Sequence, residues 1–117
     1  MKLRLIGAGL MVLAAAACAK QPGEIAAVSV GDAYSGVSCS RASSLYNAEA
    51  AKVPALVSKQ KSAVAGDAVG VFLLGVPMAS LSGEDLEGEI AATKGKILAL
   101  TTRLETCGIN PAPVDWG

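Results

Sequence analysis

Histidine is absent from this 117-residue chain. Its absence excludes Ser–His and Cys–His relays and leaves metal binding to thiolates and carboxylates alone. Aromatic residues are scarce, one Phe, one Trp and two Tyr, too few to fill the core between two packed sheets. Excess charge is also lacking: ten basic side chains stand against ten acidic ones, so no basic surface recruits nucleic acid. No apolar run approaches the roughly 20 residues of a membrane-spanning helix. What the chain does have is 13 Gly and many Ala, a composition suited to thin helical packing.

Residues 1–17 run Met-Lys-Leu-Arg, then an apolar stretch over 5–13, then four alanines directly before Cys18. A basic start, an apolar stretch of roughly 7–15 residues and small residues at the end make a secretory signal peptide. Small residues closing on a cysteine resemble the lipobox of bacterial lipoproteins, with Ala15 where that family prefers Leu. The resemblance implies that Cys18 is acylated and becomes the mature N-terminus. With Ala19 next, it also implies the outer membrane, on the periplasmic side, with membrane contact through the N-terminal lipid. Two other outcomes stay open. Ala17-Cys18-Ala19 fits a small-x-small site cleaved before Lys20, which would discard Cys18 and release a soluble protein. An uncleaved anchor is the third, although about 14 residues fall short of the roughly 20 needed to span.

Removing residues 1–17 takes away Lys2 and Arg4 and leaves eight basic and ten acidic side chains in 18–117, a net of −2. That remainder is one small domain at most. Cys39 and Cys107 form an even pair in an exported chain, which reads as a disulfide in an oxidising compartment. Closing a loop of about 68 residues contributes roughly 4 kcal/mol in the chain-entropy model.

The clearest periodicity lies in residues 84–107. Leu86, Ile90, Thr93, Ile97, Leu100, Leu104 and Cys107 step alternately by four and three, the seam of a coiled-coil helix. Ser82 and Asp85 suit its N-terminal cap and Gly108 its stop. A second stripe, Gly88, Ala92, Gly95, Ala99, Thr102 and Thr106, is small throughout. It reads either as a plain solvent face or as a surface for close helix approach and self-association. Residues 40–65 carry a looser seam of Ala42, Tyr46, Ala50, Val53, Val57, Gln60 and Val64, with Pro54 predicting a kink.

The expected fold is all-α: an antiparallel helical hairpin over 39–107, a kinked first helix and a heptad second helix. A flexible tether over 18–38 and a short tail over 108–117 complete it. Pairing Cys39 with Cys107 sets a register with Lys59 near Glu87 and Lys61 near Asp85, and with Lys52 facing Lys94 as a mismatch.

Residues 68–81 join the arms and form the most apolar part of 18–117, including Phe72, Leu73, Leu74, Val76 and Met78. Two readings are open. The stretch either extends the first helix and folds back as core, or it docks on a membrane, a protein partner or a second copy. Residues 67–100 are also loosely similar to short bacterial envelope lipoproteins of no known activity, through this Gly-Pro stretch and the Glu/Lys helix after it.

Catalytic patterns are weak. Ser58-Lys59-Gln60-Lys61 matches Ser-x-x-Lys without the other elements of that enzyme class. Gly95-Lys96 lacks the earlier glycine of a phosphate loop, Ile90 standing in its place. Neither catalytic residues nor a cofactor or metal is expected. The expected function is a non-enzymatic envelope lipoprotein, a structural or accessory binding module anchored at Cys18. The alternative is a soluble periplasmic helical protein whose apolar tip inserts into a membrane or packs in a homo-oligomer.

Overall fold

A computed structural model describes residues 18–75, 80 and 85–117. Two helices dominate: α1, Cys39–Leu74, and α2, Glu87–Thr106. A short 3₁₀ turn, Pro22–Glu24, precedes them. The helices run antiparallel and pack as a hairpin, stapled at its open end by a disulfide between Cys39 and Cys107 with their Cα atoms 5.9 Å apart.

Each helix boundary has a local cause. Ser38 caps α1, its Oγ accepting the Arg41 amide at 3.2 Å. α1 continues unbroken past Pro54, whose ring faces solvent. It runs nine residues beyond the expected end at 65, because Ala, Val, Phe and Leu carry the helix until Gly75. Gly75 adopts φ 73°, and its amide bonds the Val71 carbonyl at 3.0 Å, a left-handed cap that glycine adopts without strain. At the start of α2, Asp85 Oδ1 accepts the Glu87 amide at 3.0 Å, while residues 81–84, which include Ser82 of the expected cap, lie outside the described residues. At its end, the Ile109 amide returns to the Leu104 carbonyl at 2.9 Å.

The α2 seam is buried as its periodicity predicts: Ile90, Thr93, Ile97, Leu100 and Leu104 all face inward. Thr93 is tolerated there because its hydroxyl bonds the Glu89 carbonyl one turn back at 2.9 Å. On α1 the buried stripe shifts after Pro54, with Leu56 and Ala63 facing inward where Val57 and Val64 were expected. The register holds to within one residue, since Gln60 meets Asp85 and Leu86 and Glu49 meets Lys96 at 3.9 Å. The ion pairs differ from expectation. Glu87 pairs with Lys20 at 3.2 Å, and Lys52 with Glu49 at 3.1 Å. Lys94 turns away from Lys52, so the expected mismatch does not arise.

Residues 18–38, expected as a tether, make specific contacts with the helices. Ile25 is buried against Leu56, Ile90 and Ala91. The Val28 amide bonds the Ala91 carbonyl at 3.0 Å, and the Val37 carbonyl accepts Arg103 Nε at 2.7 Å. The small-residue stripe of α2 is what admits this segment. A Cβ on Gly95 would stand 1.7 Å from the Val28 carbonyl oxygen, so backbone lies directly on backbone there. The stripe is covered in its middle by the chain's own extended segment rather than by a helix.

The C-terminal tail packs as well. Tyr46 donates its hydroxyl to the Ala112 carbonyl at 2.7 Å, and Trp116 packs against both principal core clusters. Lys94 joins the two termini to α2. Its Nζ bonds the Pro22 and Ile25 carbonyls at 2.6 and 2.7 Å and sits 5.0 Å from the centre of the Trp116 ring. Burial lowers its ammonium below the ordinary lysine value of 10.5.

Gly95 therefore separates two effects that usually travel together. In a free helix Gly→Ala is stabilising by about 1 kcal/mol. Gly95→Ala should instead destabilise by about 1–3 kcal/mol, because the methyl overlaps the Val28 carbonyl. At Gly88 a methyl would meet nothing within 4 Å. The same change there should be neutral or gain up to ~1 kcal/mol. Thermal unfolding of both variants checks the opposite signs.

Candidate functional site at the hairpin tip

Two polar residues of α1 are buried on its inner face, Gln60 and Asp67, two turns apart. A buried polar group is costly unless its hydrogen bonds are made. Both make theirs to chain segments outside α1. Gln60 Nε2 donates to the Lys20 carbonyl at 2.8 Å and to Asp85 Oδ1 at 2.9 Å, and its Oε1 accepts the Leu86 amide at 2.7 Å. One side chain thus ties the N-terminal segment to α1 and caps the start of α2.

Asp67 does the same two turns further on. Its Oδ2 accepts the Ala19 amide at 2.6 Å, its Oδ1 accepts the Ser80 amide at 2.8 Å, and the Ser80 hydroxyl also donates to Oδ2. Ala19 itself is buried against Ala63. The chain leaving Cys18 is consequently fixed at the tip end of α1, with Cys18 half-buried beside it. The sequence pattern placed Gln60 on the seam but carried no signal for Asp67 as a docking post.

Beyond Asp67 the helix becomes apolar and exposed. Phe72 is 88% exposed, Leu73 and Leu74 67% each, and Val69 57%. These side chains do not fold back as core, although the helix extension that accompanied that reading is present. Val76 and Met78, the other two expected tip residues, lie outside the described residues. Phe72, Leu73, Leu74 and Cys18 share one end of the hairpin. Cys39 and Cys107 hold the other.

A cavity of about 510 Å³ lies away from the tip between α1 and the C-terminal tail. Its walls are mostly Ala, Val, Leu and Pro, its tyrosine hydroxyl is already bonded to Ala112, and its one acid is the exposed Asp115. Ser58 and Lys61, from the Ser-x-x-Lys match, are both exposed on α1. Among the described residues no group of three or more Cys, Asp or Glu side chains is placed to hold a metal ion. Among them, too, no helix is long and apolar enough to cross a membrane.

No family model matches the chain, and no match was found among curated proteins or solved structures.

The Asp67 knot is testable by its donors. Asp67→Ala leaves the amides of Ala19 and Ser80 without this acceptor, and Asp67→Asn turns an amide donor toward some of them. Each variant should lose about 2–4 kcal/mol of stability. Trypsin should then cut after Lys20 faster while helical circular dichroism persists. Unchanged cleavage and unchanged urea midpoints in both variants would remove Asp67 from this role.

Proposed function

We propose that the protein is a non-enzymatic lipoprotein of the bacterial cell envelope, anchored through acyl groups on Cys18 to the periplasmic face of the outer membrane. There it serves as a structural or accessory binding module. The observation that carries this reading is the signal pattern itself: Lys2 and Arg4, the apolar stretch, and the alanine run ending on Cys18.

Packing at the junction supports it. Cleavage before Cys18 leaves every contact described above intact. Cleavage before Lys20 would instead remove Ala19, whose methyl is buried against Ala63 and whose amide is bonded to Asp67. The soluble alternative therefore costs the fold one buried residue and one carboxylate partner. The Cys39–Cys107 disulfide is consistent with an oxidising compartment. The exposed tip supports an accessory binding role more readily than catalysis, which requires converging polar groups around a reacting atom.

Metabolic labelling with a palmitate analogue tests the anchor. Wild type should incorporate label and Cys18→Ala should not. A mature N-terminus at Lys20, or equal labelling of the two proteins, would contradict the reading.

A further inference from the structure

We propose that the hairpin stands tip-first on the membrane, with the exposed end of α1 entering the phospholipid leaflet that holds the acyl chains of Cys18. The shared leaflet rests on the acylation reading above; the contact of the tip with lipid is a separate claim.

The location of Cys18 is the first ground. Residues 1–17 join the described structure at Cys18, and the next residue, Ala19, is bonded to Asp67 at 2.6 Å. Asp67 is the last charged residue before the apolar end of α1. An acyl group on Cys18 would therefore emerge at the level where the charged part of the helix stops. Leu74 lies seven residues further along α1, about 10 Å at helical rise. Interfacial helices bury their apolar face about 5–10 Å into the headgroup–acyl boundary. Cys39 lies 28 residues back in the other direction, roughly 42 Å away along the same helix.

The shape of the apolar surface is the second ground. Residues 69, 71, 72, 73 and 74 are exposed, and at 100° per residue they point to every side of the helix. A groove on a protein partner reads a helix along one stripe. An apolar end without a polar side suits a medium that surrounds it, as lipid does. No charged residue occurs from 68 through 74, so insertion of this helix end buries no charge. A helix end only about 10 Å long beyond Asp67 dips into one leaflet without spanning.

The anchor and the tip then act together. Acyl chains and an apolar helix end are two separate membrane signals, each adding buried apolar surface in the same leaflet. Because Gln60 and Asp67 fix the N-terminal segment to α1, both signals face the same way and the disulfide end points away from the bilayer.

Site-specific photocrosslinking of the full chain in cells tests this. Phe72 is replaced by a benzophenone-bearing phenylalanine in one strain and Ser40, exposed at the disulfide end, in another. Cells are grown with radiolabelled phosphate so that a phospholipid adduct is visible, and palmitate labelling of Cys18 is read in parallel. A phosphate-bearing adduct at position 72, lost at position 40, with Cys18 labelled, is the expected result. Intact Cys39–Cys107 linkage in both strains reports that the fold is undisturbed. Crosslinks from position 72 to a second copy, to residues 1–17 or to another protein without lipid overturn the inference, as does no adduct. Adducts at both positions overturn the tip-first orientation. Labelled Cys18 without an adduct at 72 leaves the anchor and ends the tip claim. An adduct without label ends the anchor and with it the shared leaflet.

Discussion

Two helices share only one seam, and a single seam leaves each helix with a second flank open to water. This constraint governs the rest of the structure. A third long helix along that flank would close it, but the α-helices described over their full length are α1 and α2 alone. The closing layer comes instead from the two non-helical ends. Ile25 and Val28 cover α2 from the N-terminal side, and Val114 and Trp116 pack from the C-terminal side. Extended chain can serve as a layer only where its backbone groups find partners. The Ala91 carbonyl, Arg103, Lys94, Gln60 and Asp67 supply them.

The polar residues of the interior therefore do different work from the apolar ones. Apolar contacts of Leu56, Ile90 and Leu100 favour burial without specifying which segment arrives. Gln60 and Asp67 add positional selectivity, because their donors and acceptors are met only where a backbone group comes within hydrogen-bonding distance. That selectivity gives the molecule two unlike ends. At one end the disulfide joins the helix termini. At the other Cys18 and the apolar end of α1 are held together, the arrangement on which the proposed tip-first orientation depends.

Much of the hairpin was legible in the sequence. The seam of α2 is a near-continuous alternation of fours and threes, and each of its positions from Ile90 to Leu104 is buried. The cysteine pair was read from the signal pattern and from parity, and Cys39 and Cys107 are linked. The packed termini were not legible, for a physical reason. Ala19, Ile25 and Val28 follow no helical period, and they dock largely through backbone groups that every sequence possesses. Gly95 was visible as part of a small stripe, yet its neighbour is a carbonyl rather than a helix. Asp67 looked like the polar boundary of an apolar run, and its bonds to Ala19 and Ser80 join residues far apart in the chain. At the tip, apolar composition was plain, but whether it was covered depended on where α1 ended, which Gly75 decides.

The central claim is that the N-terminal segment is a fixed layer of the fold and not a leash. Amide hydrogen exchange of the oxidised protein measures this directly at Ala19, Val28 and Leu86, whose N–H groups bond Asp67, the Ala91 carbonyl and Gln60. The account predicts that all three exchange slowly, with protection comparable to amides within α2. Exchange of Ala19 and Val28 at the rate of an unstructured peptide, while the helices stay protected, would contradict it.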